Sequence, residues 1–203
     1  MLKTALFIKC FILSLFLSLP AFASAELSYT KQTYEKMMGL ETTDPAFEEK
    51  ALSQFQDIFN FVAFNNRVTR DIKNKMTPEE FTKLETLFKD VFYNAYKNSI
   101  LKVNDRKVIH PHYSLKENKE HYTIVNVTGQ SGERQATLTF YIKPNDNKKE
   151  GFQLIDLSVE GALLSRNYRG SFNRIFREKG FAGLYARIQN KRDTLLQHKK
   201  VTH

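Results

Sequence analysis

His110 and His112 stand two residues apart in a stretch of alternating apolar and polar residues, so as strand neighbours they point to the same face. His121 falls on what reads as the next strand, and three imidazoles on adjacent strands can hold zinc. Pro111 disturbs that strand, however, and no carboxylate is placed to orient the ring nitrogens. Other reactive constellations are missing. The sequence has no G-x-S-x-G elbow, no H-E-x-x-H and no glycine-rich phosphate loop. Its serines, histidines and acids could form a triad only through the fold. Arg169 can pair bidentately with a phosphate or carboxylate, or tie a helix to Asp156 or Glu160.

The chain opens with Lys3 and Lys9, an almost wholly apolar run from Cys10 to Leu19, then Pro20 and the small residues Ala23, Ser24 and Ala25. This is the order of a cleavable signal peptide over residues 1–25. Lys9 and Pro20 bracket only a dozen positions, too few for a membrane span of about 20 apolar residues. A lipid-modified Cys10 fits poorly because Lys9 precedes it. Removing 25 of the 203 residues leaves 178, from Glu26 to His203, enough for one domain with a sizeable core.

The leader carries two of the 31 basic residues, none of the 22 acidic ones and the only cysteine. The exported chain is therefore free of cysteine, has a net charge of +7, and must be held together by its core without disulfides. Its charges are interspersed, as in Glu48, Glu49, Lys50 and Arg177, Glu178, Lys179, so they read as a solvated surface with at most weak attraction to anionic headgroups. Export argues against nucleic acid as a partner. Seventeen Phe and no Trp allow a large, dry interior, since Phe has no polar atom to satisfy.

Asp44-Pro45 predicts a helix start, followed by Phe47, Ala51, Leu52, Phe55, Ile58 and Phe59 at helical spacing. A second helix is predicted over 63–73. Thr77-Pro78-Glu79-Glu80 is a capping box, and Phe81, Leu84, Leu87, Phe88, Val91, Phe92 and Ala95 form a wide stripe behind it, predicting a helix to about Asn98. From about Arg106 the period changes to two, with turn signals at 117–119, 129–132 and 144–151, which predicts four antiparallel strands. Ala136, Leu138, Phe140 and Ile142 share one face of the third, and Ile155, Leu157 and Val159 one face of the fourth. The sheet is apolar on one side, so helices must cover it, and the class is α+β. A helix then runs from about Leu164 to Gly180, and another carries Phe181, Leu184, Tyr185 and Ile188. The basic tail beyond about Thr194 reads as frayed.

The run G-F-Q-L-I-D-L-S-V-E-G-A-L-L-S-R-N-Y-R-G-S-F over 151–172 resembles the MlaC, or toluene-tolerance auxiliary, family of periplasmic phospholipid-binding proteins. In that family a strand G-x-W-K-V-Y-D-V-x-I-E-G runs into V-S-L-V-x-N-Y-R-x-Q-F. The positions shared here include Asp156, Glu160, Gly161, Asn167, Tyr168, Arg169, Phe172, Gly180 and Leu184. Upstream, Phe59-Asn60-Phe61, Thr77-Pro78-Glu79 and the stretch from Phe81 to Tyr96 are similar to the family pattern in the same order. Phe152 stands where the family often has Trp, which is a packing change. Ala162 and Leu163 replace Val and Ser, and Asn60 replaces Asp, departures that bear on lipid preference or docking.

The resemblance implies a bent four-stranded sheet, cystatin-like or nuclear-transport-factor-like, whose helices enclose an apolar cavity for phospholipid tails. It implies residues 26–203 as a monomeric, non-enzymatic carrier in the periplasm, the soluble binding protein of an Mla-type ABC transport system. Such a carrier would shuttle phospholipid between outer and inner membranes and maintain outer-membrane lipid asymmetry. Its partners would be an inner-membrane transporter with a lipid-binding ring domain and an outer-membrane lipoprotein complex, with phospholipid as cargo and no cofactor. The expected cavity wall comprises Val125, Val127, Leu138, Phe140, Leu157, Val159, Leu163, Tyr168 and Phe172, with Arg169 as a headgroup or structural residue. A hopanoid-like cargo, and an exported hydrolase or metalloprotein built on His110, His112 and His121, are the rival readings.

Overall fold

The computed structural model describes residues 20–40, 44–103, 108–149 and 151–200. The first helix, α1 (Pro20–Met38), has no counterpart among the sequence expectations. It is amphipathic all the same: Glu26, Tyr29, Thr30, Thr33, Tyr34 and Met37 are buried at helical spacing. Residues 1–19 of the expected leader lie outside the described residues, while residues 20–25 form the first turns of α1. Every α1 side chain described as buried lies at or beyond Glu26, so cleavage after Ala25 would remove none of them.

Helix α2 (Phe47–Ile58) buries Phe47, Ala51, Phe55 and Ile58. The Asp44 carboxylate accepts the Ala46 amide at 2.8 Å, closing a turn, and the helix proper begins at Phe47, two residues later than Asp44-Pro45 suggests. Helix α3 (Phe61–Thr69) is shorter than expected and starts earlier, because Asn60 caps it by accepting the Ala63 amide at 2.9 Å. Helix α4 (Pro78–Val103) has the expected capping box: Thr77 N donates to Glu80 Oε2 at 2.9 Å and Glu80 N to Thr77 Oγ1 at 3.2 Å. It runs five residues past Asn98.

The sheet is an open antiparallel meander in the order β1 (Ile109–Lys119), β2 (Tyr122–Ser131), β3 (Arg134–Pro144), β4 (Phe152–Val159) and β5 (Ala162–Leu163). The fifth strand was not expected from sequence. It exists because Glu160 and Gly161, at φ 49° and 77°, make a two-residue turn that folds Ala162 back onto Val159. This is also where the Ala162-Leu163 departure sits, as a short edge pair. The long terminal helix α5 (Leu164–Lys200) is two helices meeting at Gly180, whose φ of 63° and ψ of −166° break the helical path at the expected stop. Beyond Thr194 it stays helical to Lys200, contrary to the expected fraying.

Helices α3 and α4 pack on α5, and α1 lies across β1 and β2. Between them sits a cluster of rings: Phe61, Phe64, Phe88, Phe92, Tyr168 and Phe172 touch one another at centroid distances from 4.6 to 6.5 Å. Among the described residues no helix is long and apolar enough to cross a membrane.

Candidate apolar cavity

The β3 alternation sends Ala136, Leu138 and Phe140 to the helix side of the sheet, where they form one wall of a cavity of about 880 Å3. Strand β4 supplies Leu154, Leu157 and Val159. The strict alternation of Ile155 with Leu157 and Val159 does not hold. Tyr141 pairs with Asp156 and Ile142 with Leu154, so Ile155 is the extra residue of a bulge, and Leu154 takes the cavity face instead. The opposite wall comes from the end of α1 (Tyr34, Met37, Met38), from α2 with Phe59 (Phe55, Phe59) and from α4 (Phe92, Ala95, Tyr96). Val108 and the start of α5 (Leu164, Tyr168) complete it. Polar residues cluster at two turns on the rim: Ser131, Gly132, Arg134 and Gln135 at the β2–β3 turn, and Glu160 at the β4–β5 turn.

Of the residues expected to line this space, Leu138, Phe140, Leu157, Val159 and Tyr168 do so. Val125 and Val127 do not. They pair with Phe140 and Leu138 on the same sheet, but α1 lies over β1 and β2 and leaves both fully buried in the solid part of the core. Leu163 is turned away by the β4–β5 hairpin, and its neighbour Leu164 lines the cavity. Phe172, one turn beyond Tyr168, is buried against Phe88 at 4.9 Å rather than at the wall.

Arg169 takes a structural part, but with neither Asp156 nor Glu160. Its Nε lies 3.7 Å from Asp71 Oδ2, on the segment after α3 and away from the lining. Asn173 Nδ2 donates to the same oxygen at 2.7 Å, and that bond, aided by Arg70 and Arg169, holds the Asp71 carboxyl below the usual range. Asp156 is met by Arg67 instead, Nη1 to Oδ2 at 3.5 Å, while its Oδ1 accepts the amides of Leu157 at 3.0 Å and Ser165 at 3.2 Å. This carboxylate ties α3, β4 and the first turn of α5 together where they frame the cavity. Its pKa is nonetheless raised, because burial outweighs the donors. Glu160 accepts the Thr137 amide at 2.7 Å and so fixes the β4–β5 turn to β3.

The histidines do not converge. His112 pairs with Thr128, whereas His121 lies in the β1–β2 turn, seven residues along β2 and therefore on the order of 20 Å away. Among the described residues no three His, Cys, Asp or Glu side chains are grouped as metal ligands.

Sequence reasoning missed the contribution of α1 because its buried stripe is Thr, Tyr and Met rather than aliphatic. The signal was the spacing 26, 29/30, 33/34, 37. Asn60 serves as more than a cap: its Nδ2 donates to Gln153 Oε1 at 3.0 Å, and its amide to Leu154 O at 2.8 Å, so the α2–α3 junction is stitched to β4.

An open five-stranded sheet, one face of which is separated from its covering helices by an apolar space of small-molecule size, defines a class of α+β binding proteins. The chain belongs to the MlaC family, whose model, described as MlaC protein, matches residues 29–190. A phospholipid-binding protein from Ralstonia solanacearum, solved in complex with a phospholipid, has the same fold. The TM-score is 0.64 at 15% identity, with 86% of this chain and 98% of that chain covered. A search of curated proteins gives no match.

Proposed function

We propose that this protein is a non-enzymatic phospholipid carrier that holds acyl chains in the cavity between β3, β4 and helices α1, α2, α4 and α5, leaving the headgroup at the polar rim. The observation that carries this reading is the 880 Å3 space itself, apolar inside and rimmed by Ser131, Arg134, Gln135 and Glu160. The solved relative's bound phospholipid and the family membership support it. On this reading the signal peptide of residues 1–25 delivers the protein to the periplasm. There it works as the soluble component of an Mla-type system, between an inner-membrane transporter and an outer-membrane lipoprotein complex.

The need for a carrier follows from the cargo. At about 0.8 kcal/mol per buried methylene, a 16-carbon tail entering water costs on the order of 12 kcal/mol, and two tails about twice that. A cavity of hydrocarbon-like polarity makes transfer from bilayer to protein nearly neutral, so modest differences in docking can set its direction.

The test is native mass spectrometry of protein purified from its host, followed by lipid extraction. Stoichiometric phospholipid is the expected result. A polycyclic lipid would replace the cargo assignment, and a folded protein with no lipid and bound zinc would overturn the carrier reading.

A further inference from the structure

Three tyrosines interrupt the apolar cavity wall: Tyr34, Tyr96 and Tyr168. The Tyr34 hydroxyl is already engaged, donating to the Val108 carbonyl at 3.1 Å. The other two differ. Among the described residues neither the Tyr96 nor the Tyr168 hydroxyl has a hydrogen-bond partner, and neither oxygen is among the unpartnered atoms sealed from accessible surface. Burial raises both phenols, so each is a neutral donor throughout the physiological range.

Both rings are held in place. Tyr96 stacks on Phe55 at a centroid distance of 3.5 Å, and Tyr168 packs edgewise on Phe88 at 5.1 Å and Phe64 at 6.0 Å. Phe92 bridges the two groups, lying 5.6 Å from Phe55 and 6.1 Å from Tyr168. The hydroxyls are therefore fixed points in the wall rather than mobile groups that can turn out to water.

A phenol covered by saturated chain loses its water and gains no acceptor, which is the unfavourable half of hydrogen-bond exchange. A cargo that carries an acceptor next to its chains removes that cost. In an acyl lipid this atom is the ester carbonyl, the polar group nearest the methylenes. We infer that Tyr96 and Tyr168 donate hydrogen bonds to the ester carbonyls of a bound acyl lipid, so that the cavity selects ester-linked over ether-linked chains. This inference rests on the carrier reading and names the part of the cargo it recognises.

The experiment offers lipid-stripped protein an equimolar mixture of dipalmitoyl phosphatidylcholine and its dihexadecyl ether analogue, and reads occupancy by native mass spectrometry. The two probes share headgroup and chain length and differ in the carbonyls. Wild-type protein is expected to favour the ester form by about fivefold or more. Tyr96→Phe/Tyr168→Phe keeps both rings and is expected to take the two lipids equally. If the double variant fails to fold, Tyr168→Phe alone must reduce the preference. Equal uptake by wild type, or a preference that survives in the Phe variants, overturns this inference and leaves the carrier reading standing. Uptake of neither lipid by folded wild type overturns both.

Discussion

Replacing Leu138 by Asp tests whether acyl chains occupy the space beside β3. Leu138 lies between Val127 of β2 and Val159 of β4 in the sheet and faces the cavity. In a water-filled cavity the new carboxylate stays hydrated, and a chain entering the cavity strips that water away. Leaving an ion dehydrated costs several kcal/mol, but the group can escape by taking up a proton. From an ordinary carboxyl pKa near 4, protonation at pH 7 costs about 4 kcal/mol, which caps the penalty at roughly a thousandfold loss of affinity. Because exchange with a bilayer is nearly neutral, that loss is enough to leave the protein empty. The same reasoning gives the pH dependence: each unit of acidification returns about tenfold, until near pH 4 the variant loads again. Lipid per protein, from native mass spectrometry and extraction at pH 7.5 and pH 5, reads the effect, with Leu138→Met and His112→Ala as variants that retain lipid. A folded Leu138→Asp protein holding stoichiometric lipid at pH 7.5 would refute the placement of the chains.

Arg67→Ala leaves the fully buried Asp156 carboxylate without its charged partner, held by the Leu157 and Ser165 amides and the Ser165 hydroxyl; a loss of about 2 kcal/mol, or some 4–8 °C in melting temperature, is expected by calorimetry. Asp156 itself has a folded-state pKa raised by burial, so its stabilising effect is complete below the unfolded value near 4 and is lost as pH rises through the folded one. Asp156→Asn should therefore flatten that part of the stability profile in urea titrations between pH 4 and 7; an unchanged slope would show that another group sets it. Asn60→Ala removes both the α3 cap and the bond to Gln153, and should lower stability by about 1–2 kcal/mol without altering lipid retention. Stripping bound lipid should lower the melting temperature of the wild type, and re-adding phospholipid should restore it in a concentration-dependent way.

The sheet and most helices were legible because their signals are local: the capping box at Thr77, the alternation from Ala136 to Ile142, and the left-handed stop at Gly180. Where two local rules interact, the sequence was less transparent. The bulge at Ile155 exchanges Leu154 for Ile155 at the cavity wall, and nothing in a run of Leu, Ile and Leu marks which residue will be skipped. Val125 and Val127 were placed correctly on the apolar face, yet whether that face meets helix or void depends on α1, a helix built on Thr and Tyr rather than on aliphatic periodicity. Arg169 and Arg67 show the same limit for charge. Arg169 lies closer in sequence to Asp156, but the tertiary fold brings in Arg67 from 89 residues away and leaves Arg169 to Asp71.

The interior is divided: α3, α4 and the first half of α5 meet in close-packed rings, while the space beside β3 and β4 stays unfilled. That division bears on function. The space opens to solvent, so it is filled either by water or by a ligand. Water can enter past the polar rim, but it meets walls of Leu, Phe, Met and Val that offer few partners, and chains of methylene meet walls of their own polarity. The Phe cluster makes this arrangement tolerable, since its solid half holds α3, α4 and α5 together whether or not the other half is occupied. On the carrier reading proposed above, ring packing outside the cavity lets cargo leave without unfolding the protein, which is what repeated loading and release require.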